Sequence, residues 1–399
     1  MLLDENTTPE QDLSLLNNVG LLVIQPTPFC NINCDYCYLP ERASNSKMSA
    51  AVLKRTLEKV FASGLVGESL SIVWHAGEPL AVPISFYQEA FQAIDELSLS
   101  RKRICHSIQT NGTLINDGWC EFIKNHDIRI GLSIDGPEFV HDAHRKDRRG
   151  QGTHARVMEG VRCLRKHGID FHVIAVVTER SLDYPDEVFN FFLENGMHQI
   201  GFNIEEIEGT NASSTLSQSS GEQRVRKFFE RIFFLQKQSK GAIRIREFDR
   251  AFQAILASTD SQGLNLTKTN DQTMPFGIVS VDTKGNFSTF SPELLGIKSP
   301  QYGDFCFGNM MEDELVKITK TDKFNVVLDD INEGLQICSQ TCEYYFLCGG
   351  GAPSNKYFEN GTFASGETMY CRNSIKAPLD IVLADLEFSL NMSAGTATG

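Results

Sequence analysis

The chain has 399 residues, 41% of them hydrophobic, and a formal net charge of −14 at pH 7. This length exceeds one average domain, and the apolar content can fill a large core or two smaller ones, which excludes disorder throughout. The negative charge disfavours nonspecific binding to nucleic acid or to an anionic membrane. Because no apolar run approaches the about 20 residues of a spanning helix and no signal-peptide pattern opens the sequence, we expect a cytoplasmic protein with no nucleic-acid or membrane partner.

From Leu21 to about Ile204, short apolar runs alternate with amphipathic helical patterns. This alternation predicts βα units built around a parallel sheet. Two predicted helices, residues 49–64 and 155–168, carry apolar residues three and four positions apart and close on a glycine. The six predicted strands begin at Leu21, Ser71, Cys105, Arg129, Phe171 and Gln199.

Polar or glycine-containing segments follow the first four predicted strands. They are the loop with Cys30, then residues 76–79, 111–112 and 135–136. A parallel barrel brings all such strand exits to one face, where its active site lies. The fold class expected is therefore α/β, a partial (β/α)6 TIM-like barrel with its site at the strand exits.

The eleven cysteines are clustered rather than spread along the chain. Without an export signal, clustered thiols favour metal binding over disulfides. One group stands near the start of the chain and another near its end, and the remaining four cysteines are interpreted as isolated. The first group is Cys30, Cys34 and Cys37, the second is Cys338, Cys342, Cys348 and Cys371, and the isolated residues are Cys105, Cys120, Cys163 and Cys306.

The first cysteine group leaves gaps of three and two residues in a loop directly after a strand. Three thiolates can hold three irons of a four-iron cluster and leave the fourth iron open to another ligand. A structural zinc site completed by a distant residue is the alternative. The segment FCNINCDYCY, residues 29–38, resembles the cluster loop of the radical S-adenosylmethionine (SAM) superfamily, including the aromatic Tyr36 before the last cysteine. The resemblance implies SAM bound at the open iron and a 5′-deoxyadenosyl radical formed from it.

Later segments carry the same resemblance over roughly residues 20–240. Residues Ala76, Gly77, Glu78 and Pro79 are similar to the family's Gly-Gly-Glu-Pro segment, which binds the SAM amino group, with alanine in place of the first glycine. The resemblance implies that Glu78 accepts the SAM ammonium, a charge-assisted pairing.

Further candidate SAM contacts come from the third and fourth strands. Ser133 and Arg145 match family positions that contact the SAM carboxylate, which a guanidinium can grip bidentately. A surface ion pair of Arg145 with Asp142 or Asp147 is the alternative. Gln109 and Asn111 end a strand on the active face, although turn formation alone could explain Asn111-Gly112. His75 is expected to point into the cavity, either as a catalytic or as a hydrogen-bonded structural residue.

The chain changes character near residue 270. The predicted organisation is an N-terminal extension (1–20), a radical SAM core (21–240), a bridging segment (241–272), an auxiliary iron–sulfur domain (273–380) and a C-terminal helix and tail (381–399). The pattern IVSVDTKGNFSTF predicts a hairpin that turns at residues 284–286.

The second cysteine group makes a closed tetrathiolate set, suited to a four-iron cluster or to zinc, and spacing alone cannot choose between the two. The segment CSQTCEYYFLCGGG resembles the SPASM domain of radical SAM peptide maturases, which implies a four-iron auxiliary cluster. A full SPASM domain holds two auxiliary clusters, but Ala352 occupies one cysteine position and another is missing near Phe290. One auxiliary cluster is therefore expected, with Cys306 either a buried thiol or a bystander.

Among these maturases, the chain most resembles the GrrM/OscB-like enzymes. That resemblance implies a ribosomally made precursor peptide, a carbon–carbon cyclophane crosslink from an aromatic ring to a β-carbon, and an electron donor such as flavodoxin or ferredoxin. Sulfatase-maturing relatives use an aspartate after the hairpin, where this chain has none, and Glu293 nearby is the candidate base. The alternatives are an anaerobic sulfatase maturase, a thioether-forming maturase and, in another class, a noncatalytic iron–sulfur electron carrier.

Overall fold

Six parallel strands, each starting within two residues of its predicted start, form the first half of the fold. The computed structural model describes residues 19–97, 102–218, 220–258 and 270–396, so most of the predicted N-terminal extension lies outside the described residues. The strands are β1 (Leu21–Ile24), β2 (Ser69–Trp74), β3 (Arg103–Thr110), β4 (Arg129–Ser133), β5 (Phe171–Val177) and β6 (Gln199–Ile204). The predicted α/β class with a parallel sheet is confirmed.

Helices connect these strands on the pattern expected for βα units. They are α1 (Ala50–Ala62), α2 (Ile84–Leu97), α3 (Asp117–Asn125), α4 (Glu138–His144), α5 (His154–Lys166), α6 (Glu179–Leu182), α7 (Pro185–Glu194), α8 (Gly221–Gln238) and α9 (Arg246–Ser258). The side chain of Ser49 caps α1 by accepting a hydrogen bond from the Val52 amide, and Leu53, Leu57 and Val60 form its buried stripe. Burying each such side chain stabilises the fold by about 1.5–3 kcal/mol.

The sheet extends beyond the six predicted strands on both sides. A two-residue strand β7 (Arg244–Ile245) pairs with β6, and the predicted hairpin forms as β8 (Ile278–Val281) and β9 (Asn286–Thr289). Strand β8 runs parallel to β1, with Leu21 opposite Ile278. The predicted C-terminal region therefore shares the sheet of the barrel. Because this pairing joins residues far apart in sequence, no local sequence pattern could predict it.

The rest of the C-terminal region consists of short strands and helices. The strands are β10 (Lys298–Ser299), β11 (Gly303–Asp304) and β12 (Gly308–Asn309), and the helices are α10 (Asp322–Thr341), α11 (Tyr345–Cys348), α12 (Pro353–Asn360) and α13 (Ala377–Thr396), with a π-helical turn at Cys371–Lys376. Strand β12 pairs with β9, which gives the ten-stranded sheet the order β12-β9-β8-β1-β2-β3-β4-β5-β6-β7. Among the helices of the described residues, none combines the length and apolarity that a bilayer crossing requires.

Candidate active site and cysteine sites

The exits of the first strands converge on the loop that carries the first cysteine group. The backbone N–H of Asn111, after β3, donates to Glu78 Oε2 at 2.8 Å, so the β2 and β3 exits touch. The side-chain amide of Asn111 reaches Asn31 Oδ1 at 2.8 Å and lies 3.6 Å from the Cys30 Sγ. From the β4 exit, Arg145 Nη1 lies 4.0 Å from the Cys34 Sγ. The predicted grouping of these residues at one face is present in the structure.

The spacing of the thiols distinguishes a cluster from a single ion. Around one tetrahedral zinc, thiolates at 2.3 Å stand about 3.8 Å apart. In neither predicted cysteine group of the described chain do three sulfurs lie within 4.8 Å of one another. The wider spacing fits a multi-iron cluster better than one zinc ion. Burial raises the pKa of Cys30 to about 12 and that of Cys34 to about 11, so bound metal is needed to hold these groups as thiolates.

A close contact between two loops holds the cysteine loop against the β2 exit. A Cβ on Gly77 would lie 2.4 Å from the Thr27 carbonyl oxygen and 2.5 Å from that of Phe29. Ala76 adopts φ 72° although it is not glycine, and it is almost fully buried. Glycine is thus required at position 77, and position 76 adopts a left-handed backbone that favours glycine.

Glu78 is buried, and much of its hydrogen-bonding capacity serves the fold. Its Oε1 accepts from the Leu80 amide at 2.9 Å and from Thr110 Oγ1 at 2.7 Å, while Oε2 accepts from the Asn111 amide. Burial raises the pKa of Glu78 to about 7, although these hydrogen bonds act to lower it. A carboxylate has about four acceptor positions, so one on Oε2 is left for an additional donor. The predicted pairing with a SAM ammonium stays a prediction.

Arg145 forms a buried ion pair that the sequence analysis did not foresee. Its Nε and Nη2 donate to the two carboxylate oxygens of Asp135 at 2.9 and 3.0 Å, and Tyr36 donates its hydroxyl proton to Asp135 at 2.5 Å. The alternative of a surface pair with Asp142 or Asp147 was wrong, because β4 and α4 direct Arg145 inward. One edge of the guanidinium is taken by Asp135, which leaves Nη1 facing the cysteine loop.

The two polar residues predicted on β3 and β4 meet inside the barrel. Gln109 donates its amide to Ser133 Oγ at 3.0 Å. A Cβ on Gly131 would lie 2.0 Å from Gln109 Oε1, so this glycine makes the room that Gln109 occupies. Ser133 and Gln109 therefore act as a hydrogen-bonded pair.

The second cysteine group surrounds one small cavity of about 70 Å³. Cys338 lies in the last turn of α10, Cys342 follows that helix, Cys348 ends α11 and Cys371 begins the π-helical turn. Positive φ values at Gly349, Gly350 and Gly351 bend the chain around these thiols.

Three polar groups contact the sulfurs of this second group. The buried ammonium of Lys356 lies 3.3 Å from the Cys338 Sγ, the Gly350 amide donates to the Cys348 Sγ at 3.4 Å, and Thr368 Oγ1 donates to the Cys371 Sγ at 3.2 Å. Donors of this kind stabilise thiolates, and hydrogen bonds to cluster sulfurs tune reduction potential. The structure thus brings the four predicted ligands together.

A second set of polar side chains lies around Tyr38, beside the first cysteine group. His75, after β2, contacts the Tyr38 hydroxyl at 3.1 Å, and burial lowers the pKa of His75 to about 4, which keeps it neutral. Glu293 lies in the 3-10 turn Pro292–Leu294, and its Oε2 is buried with no hydrogen-bond partner among the described residues. Burial raises the pKa of Glu293.

Two further glutamates of this set were missed in the sequence. Glu206 and Glu208 follow β6, and their carboxylates are close enough to Glu293 for its negative charge to raise their pKa values. Burial is the main cause and raises the pKa of Glu206 to about 8, although Asn355 donates to it at 2.6 Å. The rule that polar residues at strand exits build the site, applied to the sixth strand, would have found them.

A cavity of about 390 Å³ links the barrel to the second cysteine group. Its lining includes Phe202 and Asn203 of β6 as well as Cys348 and Gly351. Arg246 borders it and donates to Asn203 Oδ1 at 2.7 Å. This cavity provides space between the strand exits and the second cysteine group.

The cysteines interpreted as isolated do not all stand alone. The Sγ atoms of Cys120 on α3 and Cys163 on α5 lie 3.5 Å apart, which corrects that interpretation for both residues. Helices α3 and α5 are separated in sequence but adjacent in space. Cys306 lies between β11 and β12 and donates to the Gly308 carbonyl at 3.2 Å.

Comparison with known proteins agrees with the site. The Radical SAM superfamily profile matches residues 24–192. The chain is 44% identical over 386 residues to uncharacterized protein sll1766 of Synechocystis sp., covering 96% of each chain. It is 27% identical to the serine-type anaerobic sulfatase-maturating enzyme of Bacteroides thetaiotaomicron, covering 86% of this chain and 84% of that one.

Solved structures share the fold over nearly the whole chain. The anSMEcpe structure with bound AdoMet and Cp18Cys peptide has a TM-score of 0.74 at 23% identity, covering 93% of this chain and 98% of that one. Streptococcus suis SuiB bound to precursor peptide SuiA has a TM-score of 0.63 at 17% identity, covering 90% of this chain and 77% of that one.

The α/β sheet, its three-cysteine loop and these matches define a radical SAM enzyme, and the chain belongs to the radical SAM superfamily. Membership implies SAM and a four-iron cluster as cofactors. Within the superfamily, the chain is similar over most of its length to a sulfatase-maturating enzyme.

Proposed function

We propose that this enzyme oxidises a ribosomally made precursor peptide and joins an aromatic ring carbon to the β-carbon of a nearby residue, forming a cyclophane. The supporting observation is Glu293 Oε2, which is buried without a hydrogen-bond partner among the described residues, on a carboxylate close enough to Tyr38 for its charge to raise the pKa of that phenol. Ring closure of this kind releases a proton from the aromatic carbon, so a base is needed in this region.

The first cysteine loop holds the four-iron cluster through Cys30, Cys34 and Cys37, and Cys338, Cys342, Cys348 and Cys371 hold one auxiliary four-iron cluster. When bound, SAM and these clusters supply the deoxyadenosyl radical that removes one hydrogen atom from the β-carbon, and the acceptor of the electron released when the ring regains aromaticity. The wide thiol spacing and the hydrogen-bond donors around the second group support this assignment.

The SAM contacts proposed here follow from the hydrogen-bonding capacity left in the site. Arg145 offers Nη1 to the SAM carboxylate, because its other edge is held by Asp135. Glu78 offers the remaining acceptor position on Oε2 to the SAM ammonium. The other contacts are proposed to come from Tyr36, Ala76, Gly77, Gln109, Asn111 and Ser133, which surround the same face.

Glu293 is the proposed base. The β-carbon radical adds to the ring, and the ring carbon then loses one electron and one proton, leaving a carbon–carbon bond and a product lighter by two hydrogens. The proton passes to Glu293, whose raised pKa makes it a stronger acceptor than an exposed carboxylate. His75 is neutral and positions Tyr38 by the hydrogen bond between them.

Serine-type sulfatase maturation is the second candidate function, favoured by the full-length similarity to the Bacteroides enzyme. In that case the substrate, a sulfatase or a peptide of it, would enter the cavity of about 390 Å³ that Cys348 and Gly351 help to line. Sulfatase-maturing enzymes use an aspartate after the hairpin. This chain has Phe290 and Glu293 in that segment and no aspartate, so a different residue would have to act as the base. A thioether-forming maturase and a noncatalytic electron carrier are the remaining alternatives.

A flavodoxin or ferredoxin is the proposed electron donor that reduces the first cluster.

The test is an anaerobic reaction of the reconstituted enzyme and SAM with candidate precursor peptides, chosen from short reading frames beside its gene. A loss of two hydrogens with a carbon–carbon crosslink in the tandem mass spectrum is the expected result. Because oxidation of serine to an aldehyde gives the same mass change, the product is also treated with an aldehyde-reactive hydrazide. Hydrazide labelling would support the sulfatase alternative, and a link through sulfur would support a thioether maturase.

Glu293→Gln supplies the matched test of the base. The variant should still cleave SAM but form crosslinked product at least tenfold more slowly, since general-base catalysis typically contributes about 10²–10⁴-fold. Glu312→Gln, at an exposed position, is the control and should behave as the wild type. Equal crosslinking by Glu293→Gln would remove Glu293 from the mechanism.

A further inference from the structure

Helices α3 and α5 bring two thiols and an imidazole together away from both cysteine groups described above. Cys120 on α3 and Cys163 on α5 place their sulfurs 3.5 Å apart, and His167 follows the last turn of α5. One ligand atom from each of the three residues lies within 4.8 Å of the other two. Of the residues that the structure describes, no other trio of histidine, cysteine or acidic side chains meets this criterion.

We propose that Cys120, Cys163 and His167 bind one zinc ion. Cys163 and His167 are four residues apart, so they lie on the same side of α5 and face α3. Two thiolates on a tetrahedral zinc stand about 3.8 Å apart, close to the 3.5 Å between these sulfurs. Zinc takes tetrahedral sets of sulfur and nitrogen ligands, and this trio supplies two sulfurs and one imidazole nitrogen, which leaves the fourth position to a water molecule.

The surroundings of these ligands suit a bound cation. Asp117, one turn before Cys120, places its Oδ1 2.7 Å from His167 Nε2 and 3.7 Å from the Cys163 Sγ. Carboxylates commonly orient a metal-bound imidazole. Lys166 donates to the same oxygen at 2.8 Å. Zinc with two thiolates is neutral, and Asp117 with Lys166 is neutral, so the complete site carries no net charge.

Zinc binding here exchanges protons and transfers no electrons. Each thiol releases one proton to solvent as its sulfur binds the ion, and both sulfurs keep their oxidation state. A disulfide between the two cysteines is the competing use of the pair, and it would require an external oxidant.

A zinc ion at this site would tie the outer helices to the active face. Gly160 of α5 packs so closely on the β3 exit that an added Cβ would lie 2.4 Å from the Gly112 carbonyl oxygen. The neighbouring Asn111 contacts the cysteine loop at Cys30. We therefore assign the ion a structural role, holding α3 and α5 in the arrangement that supports the β3 exit.

The test measures zinc in protein whose iron sites are filled, because empty cluster cysteines also take up zinc. Wild-type enzyme, reconstituted with iron and sulfide, is dialysed against a weak chelator, supplied with zinc sulfate, dialysed again and analysed for both metals. We expect about one zinc per chain. Cys163→Ser and His167→Ala should each retain at least tenfold less zinc with the same iron content.

Cys105→Ser is the matched control, because Cys105 lies on β3 outside all three groups. It should keep the wild-type zinc content. Cys163 and His167 are chosen over the fully buried Cys120, whose replacement could prevent folding. If either variant nonetheless loses its far-ultraviolet spectrum, cobalt binding to wild type decides the matter, since thiolate ligands give an intense near-ultraviolet band.

Equal zinc retention by wild type, Cys163→Ser and His167→Ala would overturn the proposal. So would a wild-type protein that binds no zinc, or cobalt without the thiolate band. A Cys120–Cys163 disulfide in protein purified without oxygen would also overturn it. None of these results depends on the peptide chemistry, because metal content is measured without substrate.

Discussion

Two oppositely charged groups, Arg145 and Asp135, are buried together beside the cysteine loop. Both side chains are almost fully buried, and the guanidinium meets the carboxylate through two hydrogen bonds. Burial by itself would raise the pKa of Asp135, but the charge of Arg145 and its hydrogen bonds hold that pKa below the usual value. Each group therefore depends on the other to remain charged inside the protein.

Replacing Arg145 with alanine should destabilise the protein by about 3–5 kcal/mol, because it leaves Asp135 charged, buried and unpaired. Urea unfolding of both proteins measures this loss. Arg231 is the control, since it pairs with Asp186 through two similar hydrogen bonds but on the surface. Arg231→Ala should cost about 1 kcal/mol or less. Equal losses of unfolding free energy in the two variants would mean that burial does not make the Arg145–Asp135 pair more important to stability than a surface pair.

Glu206 gives the fold a pH dependence whose sign can be stated. Its pKa is raised from 4.5 to about 8, chiefly by burial, so the folded protein binds this proton more tightly than the unfolded chain. That contribution to stability is complete below pH 4.5 and is lost as the pH rises through about 8. Each unit of difference corresponds to about 1.4 kcal/mol.

The free energy of unfolding of the wild type should therefore fall between pH 5 and pH 8, and Glu206→Gln should flatten the decline. Glu78, with a pKa raised to about 7, contributes in the same direction and leaves part of the slope. The exposed Glu312→Gln should keep the full wild-type slope. A slope unchanged in Glu206→Gln would show that Glu206 titrates normally.

At the scale of loops and strands, the contact at Gly77 holds the cysteine loop in place. Gly77→Ala should strip iron from the first site and destabilise the fold, because the new methyl group would overlap the carbonyls of Thr27 and Phe29. Ala76→Gly is the matched variant one residue away. It relieves a left-handed alanine at φ 72° and should keep its iron. The iron content of the two variants is measured after reconstitution. Full iron content in Gly77→Ala would show that a methyl group at this position does not disturb the cysteine loop.

The strands that could be predicted are those with a local signal. Each of the six βα strands is an apolar run bounded by turn residues, and the hairpin at β8 and β9 carries the turn Asp282–Gly285. The parallel pairing of β1 with β8 had no such signal, because it depends on which sheet edge is left uncovered when the chain returns.

The candidate site divides in the same way. Cysteine spacing and strand-exit motifs located both thiol groups and the residues around Glu78 and Arg145. The partner of Arg145 was not predictable, since choosing Asp135 over Asp142 or Asp147 requires the direction of α4. The meeting of Cys120 with Cys163 likewise depends on how α3 packs against α5.

For the molecule as a whole, the two cysteine groups predict its iron content. Three thiolates at the first site and four at the second give two four-iron clusters, or about eight irons per chain. Replacing the four cysteines of the second group together should leave about four irons, while Cys306→Ser should leave about eight. Twelve irons in the wild type, or a lost cluster in Cys306→Ser, would mean that a third cluster exists.

The central claim is that this chain is a radical SAM enzyme. Cleavage of SAM tests it most directly, because this reaction can be measured without a peptide substrate. Reduced, reconstituted protein is incubated with SAM without oxygen, and 5′-deoxyadenosine is measured by liquid chromatography. The wild type should produce it, and alanine at Cys30, Cys34 or Cys37 should abolish it, since each is one of only three protein ligands proposed for that cluster. Full deoxyadenosine production by these variants, or none by a wild type loaded with about eight irons, would contradict the account.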